Sequence, residues 1–454
     1  MRPISLAELE APLQARLVGA DLEFLGVSTD SRQLAQGDLF VALRGEHFDG
    51  HDYLDQVAAA GAVAALVSET ADNALPQLQV ADTLIALGRL AAYNRSLFKG
   101  KLVAITGSSG KTTVKNMVRA VLAQRGRTLA TEGNLNNEIG VPLTLLALEP
   151  GVEFAVVEMG AARAGDITWL CELGRPSVAL LLNAMPAHLQ GFGSLDDVAT
   201  AKGEIFDGLG KGDCAVINAD LSWADAWRHR AGEATVLDFG LSSPAAITAT
   251  GVKSHGTRGV SFTAITPDGE LPVNLSLPGV HNVANALAAI AVGLACGLRL
   301  DEIGAGLAAV QPTAGRLAAA VSSAGSTVID DCYNANPGSV RAAIDMLASC
   351  EGRRTLVLGA MRELGPTSEA LHRDIGAYAS AAGLDRFWGV GPELQCAVDN
   401  FGPGGRWFAD CQAAIDAIGH EFGAADTVLV KGSRSARMER VLHALLAAEP
   451  AGEG

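Results

Sequence analysis

No two cysteines of this sequence form a Cys-x-x-Cys pair, and the seven present are odd in number and scattered. Reduced core thiols, rather than a disulfide framework, are expected. The opening stretch MRPISLAELEAPLQARL lacks the apolar core of a signal peptide, and no run approaches the roughly 18 uninterrupted apolar residues of a membrane span. A cytoplasmic protein without membrane insertion follows. Basic side chains are also in short supply, 34 against 50 acidic ones for a net charge of −16, which argues against nucleic acid and anionic membrane as partners. An anionic substrate must then be held locally, by loops, dipoles and metal ions. Internal repeats and low-complexity tracts are missing too.

What is present is a chain of 454 residues, 49% hydrophobic, long enough for two or three cores. The pattern reads as α/β in three domains. Residues 1–82 alternate short strands (38–43 and 62–67) with an amphipathic stretch at 53–60, a small N-terminal α/β domain. Residues 83–313 carry apolar runs at 102–105, 154–157, 178–182 and 215–217, the signature of buried parallel strands in a P-loop ATPase-type sheet. Thr/Val alternation between 246 and 277 adds an antiparallel excursion, followed by a helix from about 281 to 296. Residues 314–454 beat regularly, with strands near 327–329, 355–358, 387–390, 407–408 and 427–430. Helices start near 337, 368, 393, 411 and 435. That is a Rossmann-like doubly wound sheet, although no Gly-x-Gly-x-x-Gly loop accompanies it.

The stretch TGSSGKTT, Thr106 to Thr113, lies between an apolar run and a helical pattern. The common phosphate loop G-x-x-x-x-G-K-[ST] would need glycine at 105, where this chain has Ile105. Gly107 and Gly110 still allow the backbone N–H groups to converge on one concavity around Ser108 and Ser109, and the helix beginning near Thr112 adds its positive end. Lys111 can reach the outer phosphates, and the Thr112 hydroxyl can ligate Mg²⁺.

Ligands of parallel α/β sheets gather beyond the carboxyl ends of the strands. There the run FAVVE delivers Glu158, and SVALLLN delivers Asn183 with His188 five residues on. A carboxylate and an imidazole beside a triphosphate suit Mg²⁺ or Mn²⁺, directly or through water. Lys202, in ATAKGEIF, is reached from the same loop; by itself it reads as a solvated lysine.

Taken in order, TGSSGKTT, TEGNLNNEIGVP, VVEMG, PAHLQGFGSLDDVATAKGEIF, LPGVHNVANALAA and DDCYNANP resemble the Mur ligase superfamily of peptidoglycan synthesis. The resemblance spans all three domains and is nearest to the branch that adds D-alanyl-D-alanine to UDP-N-acetylmuramoyl-tripeptide. It implies ATP as phosphoryl donor and two Mg²⁺ ions. Glu158 and His188, with Thr112, would be the metal ligands, and Lys202 would be carbamylated so that its CO₂ adduct becomes a metal partner. Lys111, Glu158, His188 and Lys202 are thus the expected catalytic group. His281, Asn282 and Asn285 match the adenine side, although Asn282 serves equally as a helix cap. Arg316 in TAGRL and Asp331 match residues that the third domain brings to ATP, Asp331 toward a ribose hydroxyl.

At the substrate ends, Ser31, Arg32 and the loop Gly45, Glu46, His47, Phe48 and Asp49 resemble the segments that hold the UDP moiety. Arg32 suits a diphosphate, and the same residues read equally as an exposed turn. Asn134, Asn136 and Asn137 offer amides to a sugar and its peptide. For the incoming amine the third domain offers GAMRELG (359–365) and KGSRSARME (431–439), each after a strand end, with Lys431, Ser433 and Arg434 as candidates; Tyr333, Asn334 and Asn336 are further substrate candidates, in a segment that also reads as plain turn chemistry. No Asp-Asn-Pro-Arg motif of the diamino-acid-adding branch is present, and no Asn-Lys-x-Asp motif for guanine. The remaining alternatives are another amide ligase of the superfamily, including folylpolyglutamate synthetase, a P-loop NTPase switch, or a non-enzymatic nucleotide scaffold. A monomer is expected.

Overall fold

The computed structural model describes residues 1–186, 189–419 and 421–448. Its α/β architecture rests on three main sheets. In the N-terminal part, strands run in the order Arg16–Val18, Gln77–Gln79, Ala64–Val67, Asp38–Val41, Gly26–Ser28, with only Arg16–Val18 antiparallel to its neighbour. The amphipathic stretch forms the helix Leu54–Ala60, closed by Gly61 in the left-handed region at φ 102°.

The central sheet has six parallel strands, ordered Thr235–Phe239, Cys214–Asn218, Val178–Leu181, Lys101–Thr106, Phe154–Glu158, Thr128–Ala130. Four of these are legible as apolar runs. Thr128–Ala130 has only three residues and lies at one edge, and Thr235–Phe239 lies at the other with mostly half-buried side chains; neither pattern stands out from a loop. Helix Lys111–Leu122 buries Val114, Met117, Val118, Val121 and Leu122 completely, each worth about 1.5–3 kcal/mol in transfer free energy. Their partners include the helices His281–Ala295 and Leu300–Ala308 and the antiparallel sheet Thr248–Ser254, Val260–Thr266, Gly269–Leu275. This sheet is the antiparallel excursion that the Thr/Val alternation announces.

The C-terminal sheet is ordered Ala318–Val321, Thr327–Asp331, Asp426–Lys431, Arg353–Gly359, Arg386–Val390, Gly405–Phe408, parallel except for the first strand. That antiparallel edge strand, AAAV, is largely exposed, so no apolar run marks it. The segments expected to turn helical near 393 and 435 begin as 3-10 turns, Pro392–Leu394 and Arg434–Ala436, before Gln395–Phe401 and Glu439–Ala447. Among the described residues no helix is long and apolar enough to cross a membrane.

Candidate active site

The strand Lys101–Thr106 ends at the sheet centre, and its chain turns through Gly107 and Gly110 into helix Lys111–Leu122. Gly110 sits at φ 82°, and a Cβ there would lie 3.0 Å from the Asn285 side-chain oxygen, so backbone and neighbour both demand glycine. Asn183, beyond the end of the adjacent strand, fastens the loop. Its Oδ1 accepts from Ser109 N at 2.9 Å, its Nδ2 donates to the Ser109 carbonyl at 3.1 Å, and its own carbonyl accepts from Ser108 N at 3.1 Å. The Lys111 ammonium folds back to the Gly107 carbonyl at 2.7 Å. Burial lowers its pKa, with Glu158 opposing and Arg316 adding to the shift. Thr106 is a strut instead, its buried hydroxyl donating to the Met159 carbonyl at 2.9 Å. Thr113 lines the cleft.

Glu158 is 3% exposed at the end of the next strand. Its Oε2 accepts from the Thr112 hydroxyl at 3.0 Å and its Oε1 from Asn136 Nδ2 at 2.8 Å. Lys115, which sequence reading passed over, places Nζ 3.9 Å from the same Oε2; its spacing of four from Lys111 on one helix is the signal that could have found it. Lys202, far from being solvated, is 2% exposed, and burial first, then the Lys111 charge, pulls its pKa down to about 7. His188 lies outside the described residues.

From the C-terminal unit, Arg316 Nη2 donates to the Thr112 hydroxyl at 2.9 Å, and Asn336 Nδ2 to the Ser109 hydroxyl at 3.3 Å. Asn336 also caps helix Pro337–Ala348 through Ser339 N at 2.8 Å, so turn chemistry and loop contact coexist in one side chain. Asp331 and Lys431 are paired in register on neighbouring strands; the lysine ammonium bonds the aspartate and donates to the Asn334 carbonyl at 2.9 Å. Burial raises the Asp331 pKa against the pull of Lys431. Burial and the nearby Lys431 charge push His281 down to about 4, which keeps its imidazole neutral. Asn282 does not cap its helix: its Nδ2 donates to the Pro278 carbonyl at 2.7 Å, and its Oδ1 accepts from Asn285 at 2.8 Å.

Apart from Thr106 and Lys115, the side chains just described line one cavity of about 940 Å³, together with Asn134, Asn137, Tyr333 and Asn334. The other expected substrate residues do not line it. The Arg32 side chain is 82% exposed and paired with Asp30 at 2.7 Å, with Ser31 beside it. Gly45, Glu46, His47 and Phe48 form an exposed loop whose far end is tied down by Asp49, which accepts from Arg44 Nε at 2.8 Å and His51 N at 2.9 Å. The Ser433 hydroxyl is buried against Arg362 N at 2.9 Å, and Arg434 is exposed.

The donor chemistry fits Mg²⁺. Glu158 and Thr112 offer adjacent hard oxygens, and among the described residues no three His, Cys, Asp or Glu side chains gather as a self-sufficient metal cage. Magnesium ordinarily takes one or two carboxylates and completes its shell with water and substrate phosphates.

Three family models match the chain in order: "Mur ligase family, catalytic domain" over residues 23–95, "Mur ligase middle domain" over 105–293, and "Mur ligase, glutamate ligase domain" over 315–434. A relative from Escherichia coli (strain K12), named UDP-N-acetylmuramoyl-tripeptide--D-alanyl-D-alanine ligase, is 48% identical over 98% of this chain and 99% of its own. The crystal structure of MurF from Acinetobacter baumannii superposes with a TM-score of 0.93 at 35% identity, covering 98% of this chain and 99% of that one. MurF ligase from Thermotoga maritima, solved in complex with ADP, gives 0.83 at 29% identity over 92% and 96% of the two chains.

Proposed function

The chain belongs to the Mur ligase family, and from that membership and the chemistry of its cleft we propose that it joins D-alanyl-D-alanine to UDP-N-acetylmuramoyl-tripeptide using ATP, a step of peptidoglycan precursor synthesis. The observation that carries the reading is the single cavity in which Lys111, Glu158 and Lys202 of the central unit meet Arg316 and Asp331 of the third. The rival of another amide ligase in the same superfamily is disfavoured by near-complete coverage at 48% identity with a relative bearing that name.

In the reaction, a carboxylate oxygen of the tripeptide bonds to the γ-phosphorus as the bond to ADP breaks, giving an acyl phosphate. The dipeptide amine then attacks the acyl carbon, loses a proton, and phosphate departs. The first step drives two anions together, so positive charge and alignment are the protein's main contribution. Lys111 and Arg316 supply fixed cations, and the loop N–H groups and helix end add their dipoles. Magnesium, held by Thr112 and Glu158 with His188 and carbamylated Lys202, would neutralise phosphate charge further. We assign His281, Asn282 and Asn285 to the adenine side and Asp331 to the ribose.

The sugar-peptide end falls to Asn134, Asn136 and Asn137, the UDP end to Ser31, Arg32 and the 45–49 loop. The dipeptide falls to the third unit around Tyr333, Asn334, Asn336 and the 431–434 segment. Domain limits at 82/83 and 313/314, a monomeric state and a cytoplasmic location complete the reading. A phosphate-release assay with ATP, UDP-N-acetylmuramoyl-tripeptide and each candidate amine tests it: turnover is expected with D-alanyl-D-alanine, and turnover with glutamate or a diamino acid instead would overturn it.

A further inference from the structure

In the N-terminal unit Asp49, His51 and Ser68 stand in line as carboxylate, imidazole and hydroxyl, the order a hydrolytic triad would use. The His51 ring sets Nδ1 2.5 Å from Asp49 Oδ1 and Nε2 3.2 Å from the Ser68 hydroxyl. The Ser68 backbone, however, donates its N–H to the same Nε2 at 3.0 Å. A backbone N–H can only donate, so Nε2 holds a lone pair and the ring proton sits on Nδ1, facing the aspartate. With that lone pair engaged the imidazole is a brace rather than a base. What it braces is the loop 45–49. Asp49 closes that loop against Arg44, while Ser68 follows the core strand Ala64–Val67. A second tie runs alongside from Arg44 to Glu69 at 3.0 Å, but both side chains are exposed, where an ion pair contributes little. The His51 side chain is only 12% exposed, so the hold on the sheet falls to it. Beyond the brace the tip stands free: Phe48 is exposed, and among the described residues the side chains of Glu46 and His47 make no hydrogen bond. A loop with a fixed base and unengaged tip groups has its ordering cost met before a ligand arrives.

We infer that His51 is a positioning residue: by tying Asp49 to Ser68 it holds the 45–49 loop in the shape that receives the UDP end, and so sets affinity for the UDP-linked substrate while both of its own ring nitrogens stay engaged within the protein. The inference rests on the assignment of that loop under the proposed function.

The test is steady-state kinetics of the full-length enzyme with each of its three substrates varied in turn. His51→Leu fills the space and removes both bonds. Its KM for UDP-N-acetylmuramoyl-tripeptide is expected to rise about tenfold, with kcat and the KM values for ATP and D-alanyl-D-alanine within about twofold. His51→Gln should recover part of that affinity, because its amide oxygen can accept from the Ser68 N–H; a merely space-filling role would produce no such recovery. Should the Leu variant fail to fold, His51→Asn, whose shorter amide keeps the Asp49 bond and loses the Ser68 one, is read the same way. A wild-type KM for the UDP substrate in the Leu or Asn variant overturns the inference, as does a rise shared equally by all three substrates. The double variant Glu46→Ala, Phe48→Ala separates the inference from its premise. A raised KM for the UDP substrate there, beside a normal one in His51→Leu, removes the role of His51 alone. A normal KM in the tip variant removes the assignment of the loop to the UDP end, and the inference with it.

Discussion

The Arg316 guanidinium reaches 204 positions back along the sequence to donate to the Thr112 hydroxyl at 2.9 Å, while lying over the Tyr333 ring with its carbon 4.2 Å from the centroid. The C-terminal unit thus contributes a charge to the phosphate loop only while it is docked there. Planarity serves both contacts, and lysine has none to offer. Arg316→Lys is therefore expected to lower kcat by about 10- to 100-fold with the KM for the UDP substrate little changed. Steady-state kinetics checks this, and near wild-type kcat would show that any cation suffices.

Asn183 makes the second specific expectation. Removing its amide in Asn183→Ala leaves the half-buried Ser109 N–H and carbonyl without their partner, a cost of about 1 kcal/mol, the lower end for a lost hydrogen bond because water can reach both groups. Urea denaturation should register that loss, and the KM for ATP should rise by about tenfold because the loop is no longer held in its phosphate-binding shape.

Much of this geometry is legible in the sequence. Strand Lys101–Thr106 announces itself by an apolar run because it is buried on both faces, and helix Lys111–Leu122 by a 3.6-residue period because it is buried along one. Carboxyl-end placement then brings Glu158 to the loop by topology alone. Lys115 is harder to read: its spacing of four from Lys111 hints at a shared face, but a lysine on an amphipathic helix ordinarily reads as solvated, and it is the neighbouring strand end that buries it against Glu158. Lys431 shows the same limit from the other side. It reads as a free substrate contact, yet the register of two parallel strands sets its ammonium on Asp331.

That pair yields a third expectation. Asp331 is 9% exposed and Lys431 3%, so removing one partner strands the other as a buried charge. Asp331→Asn and Lys431→Met should each cost about 3–5 kcal/mol, and the double variant less than their sum. Denaturation of the four proteins measures the coupling; strict additivity would mean the pair is independent in solution.

His281 gives a pH dependence with a definite sign. Its folded-state pKa is pushed to about 4 by burial and Lys431, below the ordinary value of about 6.5. Between those values the unfolded chain binds more protons than the folded one, so this residue's contribution falls as pH drops through the window, at up to about 1.4 kcal/mol per unit. Stability measured from pH 7 to 4 should decline less steeply in His281→Asn than in the wild type. Parallel curves would count against a buried neutral imidazole.

Lys202 carries the most exposed expectation chemically, although it is among the most buried residues. A lysine with a pKa of about 7 is about three-quarters neutral at pH 7.5, against about 0.1% for one at the ordinary value, and only the neutral amine can add CO₂. The neighbouring Lys111 charge that helps to lower the pKa would also stabilise the resulting carbamate anion. Carbamylation is therefore favoured twice, once in its nucleophile and once in its product. Enzyme stripped of dissolved CO₂ should lose activity and regain it with bicarbonate. Labelled bicarbonate at pH 8 should give a carbamate carbon resonance that Lys202→Arg lacks, and both signal and activity should fade together as pH drops below about 7. Fully active wild-type enzyme with an unmodified Lys202 would show that the amine serves the site as it stands.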